Sequence, residues 1–339
     1  MSGEEFASYL KRVAGGETLN AAQSSDAFAA IMAGEVSDIR IAALLGALAV
    51  RRPTVEEITG AVRAMRAAMT SIEANPYAID LCGTGGDGIG TLNISTACAF
   101  VVAACGVPVA KHGNRNMSSK SGTADCLEAL GVKIDLSPAR TARCLREAGL
   151  CFLFAQAYHP AMKYAAPVRK ELGFRTIFNL LGPLSNPARV RSQLIGVYDP
   201  SWCVPVAEVL GKLGAQSAWV VHGDGLDEIA TSGPSHVAIL KDGTVTTRDI
   251  GPEEAGISWS PRDALAGGTA HENAAALKRL FDGETGAYRD IVLINSAAAL
   301  IVAGKAEDLR AGVAEAAAAI DGGAAKAKLA HLIQVSNAP

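Results

Sequence analysis

Asp80-Leu-Cys-Gly-Thr-Gly-Gly-Asp-Gly-Ile-Gly-Thr-Leu-Asn-Ile-Ser-Thr96 contains five glycines within eight positions, between a strand-like run and a strongly apolar, helix-like run. Glycine allows a positive φ and lets a ligand approach bare backbone amides, so this density predicts a loop that wraps a ligand. Asn93 is a suitable N-cap for the apolar run, and the first free N–H groups of that helix would point back at the loop. The simplest ligand for such a loop is a phosphate or a pyrophosphate.

Three other interpretations of the glycine-rich loop compete with phosphate binding. Residues 83–88 satisfy the dinucleotide pattern G-x-G-x-x-G, but that pattern needs an acidic residue about 20 positions on. The equivalent run, Val109-Ala-Lys-His-Gly113, is basic, so NAD is disfavoured. A Walker A loop needs Gly-Lys-Ser/Thr, and the nearest approach, Gly90-Thr91, has no lysine. A structural turn without a ligand stays open, although a turn needs one or two glycines rather than five.

Composition and charge place the chain among globular proteins. Its 339 residues are 49% hydrophobic and 19% charged, with a net charge of −3, which suits a large core in about two domains. The near-neutral balance offers no basic face for DNA or RNA, so a nucleic-acid-binding relative of the fold is the disfavoured non-enzyme hypothesis. Seven cysteines without C-x-x-C spacing indicate reduced thiols and a cytoplasmic protein. The sequence predicts neither export nor a membrane partner.

Residues 1–73 predict a small helical domain. Helices are expected at residues 4–13, 21–33 and 37–51. Thr54-Val-Glu-Glu57 is a capping box that opens a fourth helix. The apolar faces are rich in Ala, Ile, Leu and Met, which indicates helices packed on one another. Surplus apolar surface on these helices would suit a dimer contact.

From residue 74 onward, strand-like and helix-like runs alternate, which predicts βαβ units and a mostly parallel, helix-covered sheet. Strands are expected at residues 78–82, 107–111, 132–136, 150–155, 193–198 and 218–222. Helices are expected at residues 93–105, 121–130, 137–148 and 306–335, with glycine- and proline-rich turns after the sixth strand. Ligands of such sheets bind at the carboxyl ends of the strands.

One segment, residues 159–187, breaks this alternation. Its pattern is helical with an interruption at Pro167. We expect this segment to pack on the N-terminal helices and to make the small domain discontinuous. The predicted domains are therefore residues 1–73, completed by about 160–187, and an α/β domain of residues 74–159 and 188–339, with hinge connections between the two lobes.

A second strand-to-helix loop, residues 107–123, is rich in cations and hydroxyls. It contains Lys111-His-Gly-Asn-Arg115 and Ser118-Ser-Lys-Ser-Gly-Thr123. Lysine supplies a point charge, arginine a two-donor fork, and serines directional donors around phosphate oxygens. A solvated basic loop is the alternative, but two donor-rich loops at neighbouring strand ends predict one polyanionic ligand between them. His112 is a candidate base and equally a candidate packing residue.

A third feature is the acidic turn in Ala218-Trp-Val-Val-His-Gly-Asp-Gly-Leu-Asp-Glu-Ile229, directly after a buried strand. Mg²⁺ prefers one or two carboxylates together with waters and substrate phosphates. Asp227 and Glu228 are therefore candidate ligands of a metal that a pyrophosphate brings. The alternative is an acidic pair at a helix N-terminus, where the macrodipole favours it. The two phosphate-type loops favour the metal.

Short motifs follow one another in a recognisable order from about residue 75 to 235. They are Gly83-Thr-Gly-Gly-Asp87, Asn93-Ile-Ser-Thr96, Lys111-His-Gly-Asn-Arg115, Ser118-Ser-Lys-Ser-Gly122, His159-Pro160, Arg169-Lys-Glu-Leu-Gly173, Asn179-Leu-Leu-Gly-Pro-Leu-Ser-Asn-Pro187 and Asp227-Glu228. Together they resemble the anthranilate phosphoribosyltransferase family. Thymidine phosphorylase relatives share that fold but carry Lys-His-Ser in the second loop. Phosphoribosyltransferases of the other fold carry an acidic pair just before a Thr-Gly loop, an order that is absent here.

The resemblance implies a nucleoside phosphorylase/phosphoribosyltransferase-like fold, in which a small all-helical domain joins a larger α/β domain. It implies transfer of the phosphoribosyl group of 5-phosphoribosyl 1-pyrophosphate to the amine of anthranilate in tryptophan biosynthesis. The implied cofactor is Mg²⁺, with two ions per subunit. The resemblance further implies a cytoplasmic homodimer, and it is compatible with an association with anthranilate synthase.

Carried over position by position, the resemblance also assigns site residues. Phosphoribosyl pyrophosphate binding falls to Gly83, Gly86, Asp87, Thr91, Asn93, Ile94, Ser95, Thr96, Lys111, His112, Gly113, Asn114, Arg115, Asn116, Met117, Ser118, Ser119 and Thr123. Anthranilate binding falls to Gly83, Asn114 and Arg169, and metal binding to Ser95, Asp227 and Glu228. No residue is a dedicated catalytic base, and Lys111, Asp227 and Glu228 would stabilise the transition state through metal and phosphates. The family more often has Ser and a β-branched residue at 116–117 and Ser or Ala at 123, which bears on side-chain contacts there.

Overall fold

The computed structural model describes residues 2–85, 90–115 and 121–339. Within these residues, seven strands form one sheet in the order β3-β2-β1-β4-β5-β6-β7. The strands are β1 Ile79–Gly83, β2 Val109–Gly113, β3 Leu150–Phe154, β4 Ser192–Gly196, β5 Ser217–Gly223, β6 Ser235–Lys241 and β7 Thr244–Ile250. All neighbours from β3 to β5 are parallel, and β6 and β7 add to β5 antiparallel. The predicted mostly parallel sheet is confirmed.

The strand order reverses beside β1. β2 and β3 lie on one side of β1, and β4 and β5 lie on the other. In α/β sheets, ligands bind outside the carboxyl ends of the strands at such a switch point. Because β1, β2, β4 and β5 are parallel, their carboxyl ends share one edge of the sheet. The glycine-rich loop, the cation-rich loop and the acidic turn all follow strands at this edge.

The described chain opens with four helices, as predicted. They are α1 Gly3–Ala14, α2 Ala21–Ala33, α3 Asp38–Arg51 and α4 Val55–Ala68. The predicted capping box is present: the Thr54 hydroxyl accepts a hydrogen bond from the Glu57 N–H at 3.2 Å, and the Glu57 carboxylate accepts one from the Thr54 N–H at 2.8 Å. α2 and α4 pack so closely that a Cβ at Gly60 would lie only 2.3 Å from the Ala21 carbonyl oxygen, and the absence of a side chain there permits this approach.

Further helices cover the sheet and close the chain. They are α5 Ile94–Ala104, α6 Thr123–Ala129, α7 Pro138–Ala148, α8 Ala155–Tyr158, α9 Ala166–Leu172, α10 Phe178–Leu181, α11 Cys203–Lys212, α12 Ala270–Phe281, α13 Ala287–Val302, α14 Leu309–Asp321 and α15 Ala324–Asn337. α5 is buried nearly all round, between strands β1 to β3 and helices α13 to α15. This explains why the sequence after the glycine-rich loop is apolar on every face.

The strand predicted at residues 132–136 is wrong. This stretch is an extended connection between α6 and α7 that pairs with no strand. Val132, Ile134 and Leu136 are buried in alternation, which produced the strand-like pattern. The Lys133 N–H donates to the Ser336 hydroxyl at 3.1 Å, so the segment packs on α15 rather than on the sheet.

The region between the sixth predicted strand and the closing helices is more ordered than expected. β6 and β7 form a hairpin around Asp242-Gly243, whose φ values of 50° and 77° suit a type I′ turn. The Asp-Gly pair was a hairpin signal that the sequence interpretation missed. α12 and α13 were also missed, whereas α14 and α15 confirm the helices predicted at residues 306–335.

The segment 159–187 packs on the N-terminal helices, as expected. Pro167 lies at the start of α9 and does not interrupt a helix, because proline is tolerated in the first turn. The Phe178 ring of α10 meets the Phe28 ring of α2 edge to face, with centroids 5.7 Å apart. The same apolar cluster continues to Ile195 and Val220 on the sheet, so the division into two lobes stays a prediction. Among the described helices, none is both long and apolar enough to cross a membrane.

Candidate functional site

Asp227 lies directly against the carboxyl ends of β1 and β4. A tight turn at Asp224-Gly225, with φ values of 48° and 83°, reverses the chain after β5 and carries Asp227 over the sheet edge. A Cβ on Gly83 would lie 2.1 Å from the Asp227 carboxylate, and a Cβ on Gly196 would lie 1.5 Å from the Asp227 carbonyl oxygen. Glycine is therefore required at Gly196, where a side chain would displace the backbone of the acidic turn, and a side chain at Gly83 would push the Asp227 carboxylate out of its position.

The Asp227 carboxylate also holds the start of the glycine-rich loop. Its Oδ2 accepts a hydrogen bond from the Gly85 N–H at 2.7 Å. Residues 227–230 are not helical, so the macrodipole explanation for the acidic pair is wrong. Both carboxylates of the pair are half-buried at the switch point. The acidic pair and the glycine-rich loop, predicted from separate parts of the sequence, form one site.

Lys111 is a buried cation on β2. Its Nζ donates to the Leu81 carbonyl oxygen on β1 at 2.5 Å and to the Ser95 hydroxyl in the first turn of α5 at 3.1 Å. The lysine thus joins β2, β1 and the N-terminus of α5 beneath the glycine-rich loop. A charge fixed there, with little access to water, attracts an anion more strongly than a solvated lysine would.

The donor set at this edge fits a magnesium ion that is bound mainly by phosphate. Ser95, Asp227 and Glu228 supply one hydroxyl and two carboxylates. Among the described residues, no cluster of three or more His, Cys, Asp or Glu side chains forms a ready-made metal cage. Mg²⁺ commonly uses one or two carboxylates and takes its other ligands from phosphates and water.

A buried carboxylate, Asp80, lies one layer below the site. It accepts hydrogen bonds from the His112 N–H at 3.0 Å and from the Asn186 side-chain amide at 2.7 Å. The same Asn186 amide donates to the Ala110 carbonyl oxygen at 2.8 Å. Burial raises the pKa of Asp80, and the nearby Lys111 charge acts in the opposite direction. These contacts fix the end of β2, from which the cation-rich loop departs.

His112 and His159 form a buried pair, with their Nε2 atoms 3.2 Å apart. Burial lowers the pKa of His112 to about 3, with a further contribution from His159, and burial lowers the pKa of His159 to about 4. Both rings are therefore neutral at pH 7, and such weak bases are poor proton acceptors. The packing and hydrogen-bonding alternative for His112 fits this geometry.

The far end of the glycine-rich loop is held by the C-terminal region. Thr91 pairs with Ala266 in an isolated bridge. Asn93 occupies the N-cap position of α5 as predicted, but its side chain makes no capping hydrogen bond. Its Oδ1 instead accepts from the Asn273 amide of α12 at 2.9 Å. The Thr96 hydroxyl in α5 lies 3.4 Å from the hydroxyl of Thr123, the first residue of α6. This contact joins the helices that follow the two loops.

The described part of the cation-rich loop shows Arg115 bound within its own unit. Its guanidinium pairs with Asp125 at 2.8 Å and with Glu128 at 2.5 Å, both on α6. The Asn114 side-chain oxygen accepts from the Arg115 N–H at 2.8 Å. The assignments to Gly86, Asp87, Asn116, Met117, Ser118 and Ser119 lie outside the described residues.

Arg169 extends from α9 over the Phe178 ring, with its guanidinium carbon 5.3 Å from the ring centroid. Burial lowers the pKa of this arginine. No carboxylate in the described chain lies within ion-pair distance of it. No described contact joins Arg169 to Gly83 or Asn114, so the structure does not bring the three predicted acceptor residues into contact.

Comparison with known proteins decides the family. The family model described as "Glycosyl transferase family, a/b domain" matches residues 75–326, and "Glycosyl transferase family, helical bundle domain" matches residues 7–69. The chain is 57% identical over 335 residues to an anthranilate phosphoribosyltransferase of Rhodopseudomonas palustris strain BisB18, covering 98% of this chain and 99% of that relative. The chain belongs to the anthranilate phosphoribosyltransferase family.

Solved structures of this family share the fold. The anthranilate phosphoribosyltransferase of Thermus thermophilus matches with a TM-score of 0.92 and 43% identity, over 97% of this chain and 99% of that one. The Saccharomyces cerevisiae protein, solved in complex with PRPP and Mg, matches with a TM-score of 0.89 and 26% identity, over 99% of this chain and 98% of that one. The predicted fold class, a helical domain plus a mostly parallel α/β domain, is confirmed.

Within this family fold, sequence reasoning missed the buried polar residues beneath the site. Asp80 stands between the buried residues Ile79 and Leu81 of β1, and a carboxylate in such a run was the available signal. Asn186 lay in a motif quoted for its resemblance, without a role. Asn273 and Asn295 lie in helices that were not predicted at all.

The histidine pair predicts a loss of stability in mild acid. In the unfolded chain, histidine titrates near pH 6.5, whereas the folded pair titrates at about 3 and 4. Below pH 6.5 the unfolded state therefore binds more protons, and the free energy of unfolding falls toward pH 4 by up to about 1.4 kcal/mol per pH unit for each histidine. Urea unfolding between pH 4 and 8 measures this slope. A His159→Gln variant should show a shallower slope, and an identical slope would contradict the assignment.

Proposed function

We propose that the chain transfers the phosphoribosyl group of 5-phosphoribosyl 1-pyrophosphate to anthranilate, giving N-(5-phosphoribosyl)anthranilate and pyrophosphate. This reaction is the second step from chorismate in tryptophan biosynthesis, and it makes the chain a glycosyltransferase that moves a pentosyl group. The observation that carries the proposal is the meeting of the glycine-rich loop, the buried Lys111 cation and Asp227 at one sheet edge. Membership of the family supports the identity of both substrates.

We place the donor between the two loops. The backbone amides after β1, the first turn of α5 and the Lys111 charge are suited to the pyrophosphate and the phosphate of one ligand. The yeast relative solved in complex with PRPP and Mg supports the identity of this donor. The Arg115 guanidinium already pairs with Asp125 and Glu128, so we expect it to order α6 rather than to meet phosphate directly.

The metal in this proposal is Mg²⁺, with two ions per chain at Ser95, Asp227 and Glu228. The two half-buried carboxylates beside the loop support this assignment. Mg²⁺ typically takes one or two carboxylates from a protein, and phosphate and water fill the rest of its coordination shell. Bound Mg²⁺ neutralises charge that develops on the departing pyrophosphate.

The reaction needs charge stabilisation more than proton transfer. Breaking the bond from C1 to pyrophosphate leaves positive charge on the ribose and negative charge on the leaving group, which Lys111 and the loop amides stabilise. The aromatic amine of anthranilate is neutral at pH 7, and its free lone pair forms the new bond to C1 as the bond to pyrophosphate breaks. The proton that the nitrogen then loses passes to the departing pyrophosphate or to water. The neutral histidine pair beside the site supports a mechanism without a dedicated base. Correct positioning and exclusion of water then supply the remaining rate.

The acceptor in this proposal is held by Gly83, Asn114 and Arg169. Arg169 is shielded by Phe178, and its guanidinium presents a planar two-donor fork suited to a carboxylate. Because Arg169 lies on the segment that packs with the N-terminal helices, lobe closure would bring it toward the donor. We expect the two lobes to be residues 1–73 with about 160–187, and residues 74–159 with 188–339.

We further propose a cytoplasmic homodimer that is able to associate with anthranilate synthase. Ile39, Ala43 and Val50 form an exposed apolar stripe on α3, with Ile39 82% and Val50 89% exposed. Such a stripe on a surface helix suits a second copy of the chain. The free thiols of the cysteines fit a reducing compartment.

One assay tests the proposed function. Purified chain, anthranilate, phosphoribosyl pyrophosphate and Mg²⁺ are mixed, and the fluorescence of anthranilate is followed. We expect a Mg²⁺-dependent loss of fluorescence with release of pyrophosphate. Phosphorolysis of pyrimidine nucleosides without use of anthranilate would instead place the activity with the thymidine phosphorylase relatives.

Asp227→Asn should reduce turnover by roughly a hundredfold at ordinary Mg²⁺ concentrations. The change keeps the shape of the side chain and an acceptor for the Gly85 N–H but removes the charge that attracts the metal. Asp224→Asn is the matched control, because it removes a charge from the same turn at an exposed position where asparagine tolerates positive φ. Turnover against Mg²⁺ concentration is the measurement. Equal losses in the two variants would contradict the metal assignment.

Arg169→Ala should lower kcat/KM for anthranilate by roughly ten- to a hundredfold, or about 1.5–3 kcal/mol, the range for a charge-assisted hydrogen bond. The KM for phosphoribosyl pyrophosphate should barely change, because the donor lies at the other loops. Lys170→Ala, on the exposed face of the same helix, is the control for a change of helix charge. Steady-state kinetics with each substrate varied gives the answer. Equal losses for both substrates would remove Arg169 from the acceptor site.

Val50→Glu should convert the dimer into a monomer. Burying an unpaired carboxylate costs several kcal/mol, which raises the dissociation constant by more than about a hundredfold. Tyr77→Glu, another exposed position at 80% exposure outside α3, is the matched control and should stay dimeric. Light scattering after size exclusion measures both masses. A dimeric Val50→Glu variant would exclude α3 as the contact.

A further inference from the structure

A fully buried asparagine on α13 forms hydrogen bonds to the backbone next to the acidic pair. The Asn295 Oδ1 accepts a hydrogen bond from the Ile229 N–H at 2.9 Å, and its Nδ2 donates to the Ile229 carbonyl oxygen at 2.9 Å. The same Nδ2 donates to the Ile291 carbonyl oxygen of its own helix at 2.9 Å. Ile229 directly follows Glu228 in the chain.

The surroundings of Asn295 require that its amide be fully hydrogen-bonded. Apart from Ser296, the neighbours of Asn295 on α13 are apolar, and Ile294, Ala297 and Ala298 show no exposed surface. A buried amide is costly in such a core unless each polar atom has a partner. Asn295 meets that condition through two bonds to another segment and one to its own helix. Its amide is therefore used to hold residue 229, which an apolar side chain cannot do.

The segment that carries the two carboxylates is short and irregular, and it is held at both ends. On one side, Asp227 is fixed by the Gly85 N–H and by contact with Gly83 and Gly196. On the other side, Ile229 is fixed by Asn295. Glu228 lies between these two anchors.

We propose that Asn295 is a positioning residue that sets the backbone of the acidic pair for metal binding, acting through Ile229. This inference rests on the proposed function, in which Asp227 and Glu228 bind Mg²⁺. Residues that orient metal ligands from behind typically change metal affinity by about ten- to a hundredfold when they are lost. Asn295 is predicted to touch neither substrate nor metal.

The test replaces Asn295 by leucine, which has the same branched shape but is larger and cannot hydrogen-bond to Ile229. Binding of Mn²⁺ in the presence of inorganic pyrophosphate is measured by electron paramagnetic resonance, independently of turnover. We expect Asn295→Leu to weaken Mn²⁺ binding by about ten- to a hundredfold and to raise the Mg²⁺ concentration for half-maximal transfer equally. The KM for anthranilate should not change. Leu300→Ala is the control, because it removes buried packing from the same helix while both Asn295 hydrogen bonds to residue 229 keep their donors and acceptors.

Two results would overturn the inference. One is an Asn295→Leu variant that folds and binds Mn²⁺ like the parent chain. The other is a Leu300→Ala variant that weakens Mn²⁺ binding as much at the same loss of melting temperature. If Asn295→Leu does not fold, Asn295→Ser is judged by the same criteria, because its smaller side chain leaves room for water.

The design separates this inference from the proposed function. A parent chain that binds Mn²⁺ with pyrophosphate but transfers nothing to anthranilate defeats the proposed function, and the effect of Asn295→Leu on Mn²⁺ still decides the inference. A parent chain that transfers phosphoribose while Asn295→Leu binds Mn²⁺ normally defeats the inference alone. A parent chain that binds no Mn²⁺ with pyrophosphate defeats the inference directly.

Discussion

The site depends on one close approach: the acidic turn after β5 lies against the bare backbone at the ends of β1 and β4. A Cβ on Gly196 would lie 1.5 Å from the Asp227 carbonyl oxygen, so the turn and the strand cannot both keep their positions if any side chain is present. This contact sets where Asp227 meets the Gly85 N–H. The approach is available only because the strand order reverses at β1, which leaves room above β1 and β4. The position of the carboxylates that we propose as metal ligands therefore follows from strand order together with two glycines.

Beneath this contact lies a set of buried polar groups. Their hydrogen bonds offset the free-energy cost of burying them. Asp80 and Lys111 bring opposite charges into the sheet, and neither is left without hydrogen bonds. Removing one partner would leave an uncompensated charge in the core, which is far more destabilising than removing a surface ion pair. Such a network adds little net stability. Its effect is to fix where β2 ends, and so where the cation-rich loop begins.

Local patterns predicted the parts of the site that are continuous in sequence. The glycine-rich loop, the loop containing Lys111 and the acidic turn each carry their own turn residues and charges, and the βαβ alternation places them at strand ends. The contacts among them could not be predicted in this way. Asn186 bonds to Asp80, and Asn273 bonds to Asn93. Both contacts depend on which elements become neighbours when distant parts of the chain pack together. The false strand at residues 132–136 has the same origin. Alternating apolar residues indicate that one side of a segment is buried, but they do not indicate whether a sheet or a helix covers that side.

The C-terminal helices hold two separate parts of the proposed site. α12 holds Asn93 at the start of α5, and α13 holds Ile229 beside the acidic pair. The same layer of helices thus holds both ends of the proposed site. One end is Asn93, which we propose to bind phosphate, and the other is the acidic pair, which we propose to bind metal. Relative motion of these two groups would require α12 and α13 to separate from α5, which is buried against α13 to α15. These contacts hold the described residues of the donor half together, and we propose that the motion that completes the site comes from the segment that carries Arg169.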